Sequence, residues 1–84
     1  MPKTQKLYEQ LLVSTDRNVS FRDFEKLLRD FGFKLERTTG SHRQYVHDLI
    51  PRPFPVQPAG KDAKRYQVRD LLELVARYGL RMER

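Results

Sequence analysis

The chain has two imidazoles, His42 and His47, and the first stands in the run Thr38-Thr39-Gly40-Ser41-His42-Arg43-Gln44-Tyr45. An imidazole titrates near neutrality, so it can accept or donate a proton during a reaction. Gly40 and Ser41 separate two alternating runs and are turn residues, which predicts a hairpin with His42 at the start of its second strand. If Tyr45 faces the core, as a large aromatic in a half-buried strand does, Arg43 and His47 share its face. His42, Gln44 and Val46 then point to the other side. On that parity His42 is open to solvent and is the one candidate catalytic residue, although the local pattern alone fits an ordinary surface histidine as well. His47 reads as a half-buried ring beside Tyr45.

A second group of residues suggests anion binding. Lys61, Lys64 and Arg65 precede the N-terminus of the last predicted helix, where positive side chains oppose the helix dipole. A phosphate there would meet both these cations and the free helix amides, and with Arg43 they form the candidate RNA- or phosphate-binding set. The formal net charge is +6, divided as +1 over residues 1–33, +5 over 34–69 and 0 over 70–84. Positive excess concentrated in the middle of the sequence fits a polyanion-binding face as well as a solvated surface.

Other chemistries are poorly served. There is no cysteine, so disulfides, thiolate metal sites and thiol nucleophiles are excluded. HExxH, CxxC, Walker and GxSxG patterns are absent, and two histidines without clustered carboxylates make no metal site; no metal or other cofactor is expected. Ser41 and His42 are strand neighbours that point to opposite faces, which argues against a Ser–His hydrolase pair. No apolar run reaches the roughly 20 residues needed to cross a bilayer, and Met1-Pro2-Lys3-Thr4-Gln5 leads into a polar amphipathic segment. A cytoplasmic location with no membrane partner is the expectation.

The elements that must position these residues read in the order α-α-β-β-β-α, an α+β fold in one domain spanning 1–84. Leu7, Leu11 and Leu12 recur at helical spacing between Thr4 and Val13. Ser20 is a good N-cap for a second helix, in which Phe21, Phe24, Leu27, Leu28 and Phe31 make a core stripe that Gly32 ends. Phe33 to Arg37 alternates, with Phe33 and Leu35 predicted on one face. Four prolines between Pro51 and Pro58 confine any strand near Phe54 to a sheet edge. Ala59 to Arg65 reads as a basic loop, and Val68, Leu71, Leu72, Val75 and Tyr78 stripe a last helix stopped by Gly79. Two helices covering one face of a three-stranded antiparallel sheet is the predicted architecture.

The helix end Phe31-Gly32-Phe33, the Gly40-Ser41-His42 hairpin, the Pro55-Val56-Gln57-Pro58 strand, the Gly60-Lys61-Asp62 loop and the final helix closed by Gly79-Leu80 together resemble the HicA toxins of toxin–antitoxin pairs. The resemblance covers about residues 20–80, with 1–19 as an N-terminal helical extension. It implies a fold like the double-stranded RNA-binding domain and an mRNA interferase, an endoribonuclease acting on mRNA until a HicB-type antitoxin binds it. The family's essential histidine falls on His42. Relatives often carry a histidine where this chain has Gln57. A non-catalytic RNA-binding module of the same fold is the alternative.

Overall fold

The computed structural model describes residues 3–82; Met1 and Pro2, read above as the start of a polar leading segment, lie outside them. Helix α1 is Lys3–Val13 and α2 is Phe21–Asp30. The strands β1 (Lys34–Thr39), β2 (His42–His47) and β3 (Ile50–Val56) follow, then two short strands, β4 (Pro58–Ala59) and β5 (Asp62–Ala63), and finally α3 (Arg65–Tyr78). The α+β architecture, three-stranded antiparallel sheet and extra N-terminal helix are those expected of a double-stranded RNA-binding-domain-like fold.

Local sequence sets each helix end. The Ser20 hydroxyl accepts the Asp23 N–H at 3.1 Å, satisfying an amide that the first turn of α2 would leave free. At the other end of the molecule Gly79 takes φ 64°, the left-handed conformation that stops α3 and returns Leu80 to the core. Phe24, Leu27 and Leu28 of α2 and Val68 and Leu71 of α3 are fully buried with Tyr45 and Val56 of the sheet. Helix α1 packs onto α2: the Tyr8 ring meets Phe31 edge-on at 5.0 Å, Leu11 is buried, and the Thr4 hydroxyl donates to the Asp30 carboxylate.

The sheet order is β1-β2-β3, so β2 is central and both its neighbours are edges. Against β1, the register slips between Leu35 and Arg37, where Glu36 is an extra residue. Such a bulge twists an edge strand away from further pairing. Against β3, the two positions from Tyr45 to His47 correspond to four from Ile50 to Phe54. Pro51 and Pro53 lie within that stretch and have no N–H to give a ladder, which is why the edge expectation holds and why the pairing is irregular there.

Leu35 pairs with Tyr45 and shares its side of the sheet, as the alternation places it, and is 47% exposed on the edge strand β1. One expectation needs correction. The segment from Ala59 to Arg65 is not a plain loop. Pro58 and Ala59 pair with Ala63 and Asp62 around a Gly60-Lys61 turn, and this small ladder grips the start of α2. Phe21 N–H donates to the Lys61 carbonyl at 2.9 Å, and Ala63 N–H to the Val19 carbonyl at 2.8 Å.

Between α2 and the sheet lies one buried carboxylate. Glu25 accepts from the Tyr45 hydroxyl at 2.7 Å and from the Arg43 guanidinium at 2.5 Å, so its charge is balanced and both its oxygens are bonded. Burial, and then the bond to Glu25, push the Tyr45 hydroxyl up to about 12, leaving it a donor at any physiological pH. Removing Glu25 strands the buried Tyr45 hydroxyl and leaves the half-exposed Arg43 guanidinium to water, whereas removing the Tyr45 hydroxyl leaves the ion pair intact. Urea denaturation should show Glu25→Ala losing about 2–3 kcal/mol and Tyr45→Phe about 1 kcal/mol.

Candidate active site

The β1–β2 connection is a two-residue turn, since Thr39 and His42 are paired across it. Gly40 takes φ 59° at the first turn position, a conformation that costs a residue with a Cβ, while Ser41 keeps negative φ. This tight link brings His42 into the central strand at its first residue.

The parity expected for β2 is the parity observed. Arg43 and Tyr45 reach Glu25 on α2, and His47 bonds the Phe31 carbonyl at 2.9 Å, so these three face the helices. Gln44 instead donates to Glu36 of β1 at 2.9 Å, within the exposed surface of the strand pair. By alternation His42 lies on Gln44's side, and it is exposed. Its imidazole has no hydrogen-bond or salt-bridge partner among the described residues.

His47 is in the opposite situation. Leu49 N–H donates to its Nδ1 at 3.0 Å, so Nε2 carries the hydrogen donated to Phe31, and its ring packs edge-on to Phe33 at 5.0 Å. It is a structural histidine tying the end of α2 to the β2–β3 turn.

Residues flanking His42 follow from register. Thr39 is its partner on β1, and carrying the Arg43–Val56 pairing one step further puts Gln57 opposite it on the β3 side. Gln57 is held by a residue that sequence reading passed over. The buried Gln67 of α3 accepts the Gln57 N–H and donates to the Pro55 carbonyl, both at 3.1 Å. The available signal was positional, because Gln67 shares a helical stripe with Leu71 and Val75, where a polar side chain must bond something.

The four cations expected to bind phosphate have different surroundings. Arg43 is committed to Glu25, which raises its pKa further, and it lies 5.4 Å over the Phe21 ring. Arg65 bonds Asp16 at 2.9 Å and Asn18 at 3.2 Å, although both members of that ion pair are largely exposed. Lys64 occupies the N-cap position of α3 without a side-chain capping bond, and its ammonium lies 5.9 Å from the centre of the Tyr66 ring. Lys61 sits on the β4–β5 turn beside the N-terminus of α2, not of α3, and lines an open cleft with Arg22, Lys26 and Arg29. The charge count along the chain hid those last three. Its acids Glu25 and Asp30 cancel them in sequence order but turn away in space, to the sheet and to Thr4.

Among the described residues, no three His, Asp or Glu side chains gather where a metal could be held, and no helix is long and apolar enough to cross a membrane. A family model described as the HicA toxin of bacterial toxin–antitoxin matches residues 21–75. The chain belongs to the HicA toxin family. No curated protein and no solved structure matches it. The HicA segment runs from the start of α2 through the sheet and into α3, so it contains the Gly40-Ser41-His42 turn and Gln57, while α1 precedes it. As a HicA toxin the chain is the toxic member of a toxin–antitoxin system.

Because the turn depends on a glycine at positive φ, Gly40→Ala should cost about 1–2 kcal/mol in thermal or urea denaturation. Ser41→Ala, at an ordinary backbone conformation, should cost close to nothing.

Proposed function

We propose that this HicA toxin is an mRNA interferase, an endoribonuclease in which His42 moves the proton. The observation that carries the reading is the exposed imidazole of His42, set by a two-residue turn at the head of the central strand and facing away from the helices. A rigid strand holds the ring and an open face admits a polymer. The family match supplies the toxin context.

The step is in-line transesterification without a metal. His42 as free base takes the proton of a ribose 2′-OH, that oxygen attacks the adjacent phosphorus, and the P–O5′ bond breaks. The products are a 2′,3′-cyclic phosphate and a 5′-hydroxyl, the departing oxygen taking its proton from solvent, since neither Thr39 nor Gln57 titrates. Gln57, where relatives often have histidine, can donate a hydrogen bond to a phosphoryl oxygen as charge builds there. Lys61 and Lys64, which have no carboxylate partner among the described residues, hold neighbouring phosphates, with Arg43 and Arg65 contributing the donors that Glu25 and Asp16 leave free. A HicB-type antitoxin silences the activity in the cytoplasm by covering the open sheet face.

A placed proton-transfer group contributes about 10²–10⁴-fold in rate, so His42→Ala should lose cleavage by that factor while binding RNA within a few-fold of the wild type. Single-turnover cleavage and filter binding of one labelled RNA read both quantities. Unchanged cleavage in the variant would sink the assignment, and a wild type that binds RNA but leaves it intact would make the chain a binding module.

A further inference from the structure

Helix α1 and the segment joining it to α2 lie before the residues matched by the HicA model, and nothing in the proposed cleavage uses them. Their placement is nonetheless fixed. Tyr8, Leu11 and Thr4 pin α1 on α2, and Arg17 of the connection donates to Gln10 of α1 at 2.7 Å.

Two open clefts run side by side along α2 and share Asp23 and Lys26 in their walls. The first adds Lys6 and Arg17, from α1 and the connection; the second adds Arg22, Arg29 and Lys61. Six cations thus line two adjoining clefts in which Asp23 is the one carboxylate. None of the six takes part in an ion pair, the pairs among the described residues being Arg43–Glu25 and Arg65–Asp16. By contrast the groove between β3 and α3 is balanced, Arg52 and Arg77 facing Asp70 and Glu73.

A row of like charges at Arg22, Lys26 and Arg29 disfavours the helix that bears it, since i,i+4 and i,i+3 neighbours repel. The arrangement gains a rationale when an extended anion lies along it. Steps of four and three residues advance about 6 and about 4.5 Å along the helix, the scale on which a nucleic-acid strand presents successive phosphates. An acidic protein segment would be expected to find an apolar anchor as well. Leu7 is the only apolar side chain in these walls, so the lining favours phosphate.

We infer that the α1–α2 track is a second RNA-binding surface, which continues from Lys61 away from the cleavage point along the phosphate backbone of a single-stranded stretch, and that α1 and its connection extend it through Lys6 and Arg17. The inference rests on the RNA-cleaving reading above. It gives α1, which also packs Leu11 into the core, a second role in lengthening the RNA footprint.

The test measures RNA affinity against salt in the full chain carrying His42→Ala, so that the RNA survives. Each single-strand phosphate contact contributes about 0.7 to the slope of log K against log salt. Lys6→Gln with Arg17→Gln should flatten that slope by about 1.4, so that between 50 and 200 mM salt the parent loses about sevenfold more affinity than the double variant. Arg52→Gln with Arg77→Gln, which removes the same charge from the balanced groove, should leave the slope unchanged. Equal slopes in all three proteins, or equal flattening by both pairs, would overturn the inference while leaving RNA binding and His42 untouched. Displacement of RNA by polyglutamate as effective as by unlabelled RNA would reassign the track to an acidic protein. No RNA binding by the parent would take down the cleavage reading together with this one.

Discussion

A carboxylate buried beneath a sheet keeps its charge only where donors surround it, and Glu25 meets that condition through Tyr45 and Arg43. Both donors come from alternate positions of the central strand, so the interaction fixes which side of β2 faces α2. A one-residue slip would turn His42 and Gln44 toward the helix and take from Glu25 both the Arg43 charge and the Tyr45 hydroxyl. Side chains of the same strand that point the other way are thereby committed to the open face. The position of the imidazole follows from a charge on the far side of the sheet from it.

The surroundings of that strand are arranged to hold it still. Gly40 closes the turn on one side, and Gln67 clamps the end of β3 on the other, where Gln57 comes opposite His42. His47 ties the other end of β2 to α2 by using both ring nitrogens. The two histidines of the chain thus differ by environment: one is half-buried and bonded through both ring nitrogens, the other exposed and without a hydrogen-bond partner among the described residues. Around this frame the cations separate too, some held by carboxylates and others left along α2 and α1 where a polyanion can lie.

Much of this was legible in the amino-acid order. The Ser20 cap, the glycine stops, the apolar stripes and the Gly-Ser turn are local signals whose physics does not depend on distant residues, and alternation in β2 correctly placed His42, Arg43 and Tyr45. What escaped reading depended on pairing across the chain. Glu25 looks like one more surface acid of an amphipathic helix until Tyr45 and Arg43 are brought to it. The β4–β5 ladder is too short to have a pattern and exists because Val19 to Phe21 supply its partners. Positive charge was counted by segment, yet Arg22, Lys26 and Arg29 gather with Asp23 as their one carboxylate because Glu25 turns to the sheet and Asp30 to Thr4.

The central claim is that the exposed imidazole of β2, and not the enclosed one, does the chemistry. Diethyl pyrocarbonate acylates accessible neutral imidazoles, and mass spectrometry can follow each histidine while RNA cleavage is assayed on the same samples. The proposal predicts that His42 reacts first and that cleavage falls in step with it, with His47 still unmodified. Full modification of His42 with cleavage intact would contradict the account.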